Sequence, residues 1–117
     1  MAGERADPGE RLRWICLSLP DAVEEAMKRG PSFRIGGKIF ALLRPDQEGG
    51  SALWCKVPEG GQAIAVAAEP GRFFVPPYFG AKGWLGVRLS TDADWGEIEA
   101  FVQRSYRLIA KRRKAVG

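Results

Sequence analysis

Between Arg72 and Arg88 the chain sets three cations, Arg72, Lys82 and Arg88, among five aromatics, Phe73, Phe74, Tyr78, Phe79 and Trp84, with no acidic residue. Guanidinium and ammonium groups bind phosphate oxygens and aromatic rings stack on bases, so these residue types together suit a polyanion that carries flat rings. Pro76-Pro77, Gly80, Gly83 and Gly86 divide the segment into two strands and a tight connection. Core packing is the competing use of the aromatics. It is the economical one for Phe73, Val75, Leu85, Trp95 and Phe101, each contributing about 1.5–3 kcal/mol when buried.

The rest of the chain supplies few rival reactive groups. There is no histidine, so a histidine triad, a histidine-ligated zinc and a histidine general base are all impossible. Cys16 and Cys55 are too few for a structural zinc site, and both fall in apolar patterns where free thiols pack as small hydrophobes. Ser105-Tyr106 lies on a helical stripe, where a serine commonly bonds back to a helix carbonyl. Asp92, Asp94, Glu97 and Glu99 read as charges at a helix start rather than as an acid/base pair. No catalytic residue, metal or cofactor is therefore assigned.

Net charge is +4 with a pI near 9.4, unevenly distributed. Residues 33–44 carry Arg34, Lys38 and Arg44 without an acid, whereas residues 45–69 carry four acids against Lys56. From Phe101 onward come Arg104, Arg107, Lys111, Arg112, Arg113 and Lys114, again without an acid. Segregated positive charge favours a polyanionic partner. No run approaches the roughly 20 apolar residues of a membrane span, and the polar opening Met1 to Asp7 is no export signal, so a cytoplasmic protein is expected.

The elements that would position these groups follow from period and punctuation. At 117 residues one domain is expected, with a core over about 7–110 and a basic tail over 111–117. Asp7-Pro8-Gly9-Glu10 starts a helix with Asp7 as cap and Pro8 where no N–H is needed. Leu12, Ile15, Cys16 and Leu19 recur at helical spacing until Pro20, and Val23 to Lys28 reads as one further short turn. Phe33 to Arg44 alternates about Gly36-Gly37 as a hairpin, and Ala52 to Val57 is a third strand. Gln62 to Ala68 reads as a short helix, and Phe73 to Pro76 and Trp84 to Leu89 as strands. Asp94 then caps a long amphipathic helix carrying Trp95, Ile98, Phe101, Val102, Ser105, Leu108 and Ile109.

The order implies an α+β, two-layer sandwich: an antiparallel sheet with helices packed on one face and the other face free. Arg34, Lys38, Lys56 and Arg88, alternating with apolar residues, would then point away from the helices.

Cys16-Leu17-Ser18-Leu19-Pro20, Phe33 to Ala41, Leu53 to Val57, Gly83-Trp84-Leu85-Gly86-Val87 and Ser105-Tyr106-Arg107-Leu108 resemble, in order, the motifs of the MmcQ/YjbR-like family. The resemblance covers about Leu12 to Ala110. It implies a CyaY-like, double-wing fold and a predicted DNA-binding role. The chain departs from the commoner family pattern, which has polar or histidine-containing residues before the tryptophan, where Pro76 to Gly83 stands here.

Residues and resemblance together point to a non-enzymatic nucleic-acid-binding module, with DNA the expected polymer and a monomer the expected state. Its contacts would be Arg34, Lys38, Arg44, Lys56 and Arg88 on the sheet, and Arg72, Tyr78, Lys82 and Trp84 on a wing. The alternative is a protein-interaction or small-ligand domain in which Pro76 to Phe79 offers an apolar patch.

Overall fold

In the computed structural model, residues 7–116 are described, with side chains to residue 111. Helix α1 (Pro8–Leu17) begins as its sequence dictates: Pro8 occupies the first turn and the Asp7 carboxylate accepts from the backbone N–H of Gly9 at 2.9 Å. There follow β1 (Val23–Glu25), β2 (Ser32–Ile35), β3 (Lys38–Pro45), β4 (Ser51–Lys56), α2 (Gly61–Ala68), β5 (Phe73–Phe74), a 3-10 turn (Phe79–Lys82), β6 (Trp84–Leu89) and α3 (Trp95–Val116). The six strands form one sheet in the order β1-β2-β3-β4-β6-β5, with every neighbouring pair antiparallel. It is the α+β sandwich that the sequence implies.

Strand β1 replaces the short helical turn expected over Val23 to Lys28. Asp21 turns the chain at φ 61° after Pro20 has ended helical pairing, and the free edge of β2 then supplies partners for Val23, Glu24 and Glu25. Pairing with the sheet outweighs the helix propensity of the two glutamates.

The hairpin turns at Gly36 and Gly37, both at positive φ, as a two-residue turn between twisted strands requires. The register between β2 and β3 slips by one residue near Phe33 and Arg34, leaving Phe40 as an extra residue on β3. This bulge breaks the strict alternation of the sequence pattern. Phe40 turns with Ala41 toward α3, where its ring meets Tyr106 edge-on at 5.3 Å. Lys38, paired with Ile35, is thereby placed on the helix side of the hairpin tip instead of on the opposite face.

Cross-strand partners share a face, so Leu43, Leu53, Val87 and Phe73 line the helix side, as do Ala41, Cys55 and Leu85. With Leu12 and Cys16 of α1 and Ile98 and Val102 of α3 they form the main core. Ser105 is buried at its centre and accepts from the Lys56 backbone N–H at 2.9 Å while donating to the Phe40 carbonyl at 2.6 Å. The serine bridges helix and sheet, instead of bonding back to its own helix.

The side without helices is also partly covered. Leu42 and Ala52 are fully buried there and Trp84 is 5% exposed. A Cβ on Gly86 would overlap the Phe74 ring, and one on Gly30 would strike the Leu43 carbonyl. These two glycines let Phe74 and the Gly30 loop lie directly on the sheet.

Candidate nucleic-acid interface

The segment after β5 is pinned at several points. Pro76 is buried, Val75 packs against Gly80, and Phe79 sits 4.9 Å from Trp84 and 6.0 Å from Trp54, ring to ring. Between these anchors Tyr78 adopts φ 66° and ψ −59°, and the Phe79 N–H bonds the Pro77 carbonyl at 2.6 Å. That is a γ-turn of the rare, strained hand, here on a residue with a large side chain. The result is that Tyr78 stands 73% exposed on a packed base.

One cation lies against it and a second is tied to the same turn. Lys82 Nζ lies 4.7 Å from the Tyr78 ring centroid, and Lys56 Nζ donates to the Lys82 carbonyl at 3.0 Å. Neither makes an ion pair with a described carboxylate. Of the nine residues singled out from the sequence, the fold thus sets Lys82 against Tyr78 and ties the half-buried Lys56 to the end of the same turn.

Trp84, on the same wing, is in the core with its carbonyl held by Gln62 at 2.6 Å. The four arginines are engaged internally. Arg44 is 6% exposed and donates to the carbonyls of Leu43, Gly30 and Pro31 at 3.0, 3.2 and 3.4 Å. Burial first, and the nearby Arg29 second, lower its pKa.

Arg88 pairs with Asp46 at 3.1 Å and donates to the Gly71 carbonyl at 3.2 Å. Arg34 binds Ser32 at 3.0 Å and faces Glu25. Arg72, on the approach to β5, pairs with Glu69 at 2.9 Å and with Glu97 of α3; its hydrogen bond to Glu97 is the main cause of its raised pKa. Lys38 is exposed at the hairpin tip. The five sheet cations and Arg72 do not form a single face.

Beside the wing, on the side without helices, the sequence reading passes over a second feature. Arg29, Asp46, Trp54, Phe74, Pro77 and Arg88 line a cavity of about 250 Å³. The Trp54 indole N–H is buried and has no hydrogen-bond partner. Nothing in a lone tryptophan on a strand pattern signals this, because the loops that enclose it come from distant parts of the chain.

Cys16 and Cys55 are both buried and free. Burial pushes both thiols up, Cys55 to about 12, far from nucleophilic range. Among the described residues no helix is long and apolar enough to cross a membrane.

Comparison with known proteins places this geometry in a family. The sequence model of the YjbR family matches residues 17–108. The crystal structure of a Deinococcus radiodurans protein with a DUF419 domain has the same fold at a TM-score of 0.77 and 22% identity, covering 90% of this chain and 80% of that one. No protein with a curated description matches.

Proposed function

The chain belongs to the YjbR family, and from that premise we propose that it is a non-catalytic nucleic-acid-binding module, with DNA as the favoured polymer. The observation that carries the proposal is the wing: an exposed tyrosine on a strained, well-packed turn, with Lys82 against its ring and Lys56 bonded to the Lys82 carbonyl. Strain held in place by surrounding packing is a reason to look for function at that residue. An exposed ring beside an ammonium group offers stacking and phosphate contact together.

A non-catalytic role is supported by the chemistry available. Histidine is absent from the sequence, and both thiols are buried with raised pKa.

Anisotropy titrations against single- and double-stranded DNA and RNA at several salt concentrations test the reading, with a basic protein of unrelated fold as control. Lys56 and Lys82, with the exposed Arg29 that lines a cavity together with Pro77, would neutralise about two or three phosphates. Log affinity for duplex should then fall against log salt with a slope of about −1.8 to −2.7. Binding no tighter than the control at low salt would remove the proposal. The second reading, a protein partner docking on the exposed Val75 and Tyr78, predicts affinity for a polypeptide with little salt dependence.

A further inference from the structure

We infer that the cavity beside the wing is a base pocket: it receives one unstacked nucleobase from a strand lying on Tyr78 and Lys82. The inference rests on the nucleic-acid reading and adds a substrate feature to it, a requirement for an unpaired or extruded base.

Three observations converge. The first is continuity. Pro77 lines the cavity and Tyr78 is the next residue, so a strand held at Tyr78 starts beside the cavity wall. The second is shape. At about 250 Å³ the cavity falls below the roughly 300–1,000 Å³ that buries a drug-sized molecule, which leaves room for one planar ring system. Its walls are suited to a ring: the Phe74 ring lies over Gly86, and Trp54 is held by Phe79 at 6.0 Å and by Arg44 at 5.7 Å.

The third is polarity. The Trp54 indole N–H is a buried donor with no acceptor, an arrangement that costs free energy until an acceptor arrives. Asp46, 7% exposed at its side chain, spends one oxygen on Arg88 at 3.1 Å and retains acceptor capacity. Trp54 and Asp46 both line the cavity; a donor on one residue and an acceptor on the other match a base edge that carries a carbonyl or ring nitrogen next to an amino or imino group. Arg29 lines the same cavity and makes no ion pair with a described carboxylate, which suits the phosphate of that nucleotide. Bases in an intact duplex are stacked and paired, so they cannot enter without being flipped out.

The test follows the Trp54 indole N–H directly in ¹H–¹⁵N spectra of the whole chain. The sequence has four tryptophans, and Trp54→Phe removes one indole resonance and so assigns it. Single strands, blunt duplex of the same sequence, the individual nucleoside 5′-monophosphates and inorganic phosphate are each titrated. A saturable shift of the Trp54 resonance is expected with single strand and with at least one monophosphate, and only a small one with blunt duplex or phosphate.

Trp54→Phe should weaken single-strand binding about 5–10-fold and leave duplex binding within twofold. Arg29→Ala, at an exposed residue, is a second variant whose folding is not in question, and it should weaken monophosphate binding at least threefold. If no nucleotide moves Trp54, or phosphate alone reproduces the shift, the base pocket is overturned. Should Tyr78→Ala still weaken DNA binding in that case, the wing reading stands without it. If nucleotides shift Trp54 but Tyr78→Ala leaves DNA binding intact, the cavity is a site for free nucleotides and the inference, which needs a strand on the wing, fails.

Discussion

Replacing Tyr78 separates stability from binding in a way that few positions allow. At φ 66° and ψ −59° a side chain costs about 1–3 kcal/mol that glycine does not incur. Glycine in turn loses about 0.4–1 kcal/mol relative to alanine through its freer unfolded chain. Tyr78 is 73% exposed, so removal of its ring forfeits little burial. What it does forfeit are the exposed contact with Lys82, worth about 0.5–1 kcal/mol, and the edge-on contact with Phe79 at 5.3 Å, worth about 0.5–1.5 kcal/mol, both lost equally in the two variants.

Tyr78→Gly should therefore be more stable than Tyr78→Ala by about 0.5–2 kcal/mol. For a domain of this size about 1 kcal/mol moves the midpoint by about 4 °C, so the glycine variant should melt about 2–8 °C higher. Both variants lose the stacking platform, worth about 1–3 kcal/mol per base, and should bind single-stranded DNA about 5- to 150-fold more weakly. Thermal unfolding followed by circular dichroism and anisotropy titration read the two effects independently. A glycine variant melting at or below the alanine variant would refute the strain argument. Unchanged binding in both would refute the wing as the interface.

Arg44→Ala should act on the fold and not on the charge seen by a ligand, because Arg44 is spent on three backbone carbonyls. A loss of about 2–4 kcal/mol in urea unfolding is expected, with the salt slope of binding unchanged; the reverse pattern would sink this assignment. The thiols should make the protein alkali-sensitive. Above the ordinary thiol value of 9.0 the unfolded chain releases a proton that folded Cys55 keeps until about pH 12, so stability present below pH 9 falls by about 1.4 kcal/mol per pH unit across that window. Denaturation series from pH 8 to 11 should show this slope reduced in Cys55→Ala, and an unchanged slope would refute it.

The elements that were legible in the sequence are those whose signals are local. Asp7-Pro8 fixes the start of α1, Gly36-Gly37 the hairpin, and the stripe from Trp95 to Ile109 the long helix; each needs only neighbours within a turn or two. What was not legible depends on partners far along the chain. Val23 to Glu25 has helical composition and becomes a strand because β2 has an edge to complete. Phe40 gains its place from a bulge that period-2 reasoning cannot register, and the same bulge moves Lys38 to the other side. The Trp54 cavity needs Arg29, Asp46 and Pro77 brought together from three loops, so no spacing along the chain announces it.

The cations of the candidate site divide by residue type, and the division has a physical cause. Arg34, Arg44, Arg72 and Arg88 each make several bonds, to carbonyls, carboxylates or hydroxyls, that tie loops to the sheet. Lys38, Lys56 and Lys82 form no ion pair with any described carboxylate. A guanidinium presents five donors in a fixed fork and is weakly hydrated, so it can satisfy several acceptors at once within a half-buried setting. An ammonium is a compact, strongly hydrated charge that loses more by being buried, and it stays at the surface. Counting positive charges along a strand pattern treats the two alike. In this fold the arginines tie loops to the sheet, Arg88 at the wall of the cavity and Arg44 against the Trp54 ring, and the lysines at the wing are the charge that a phosphate backbone would meet under the proposed function.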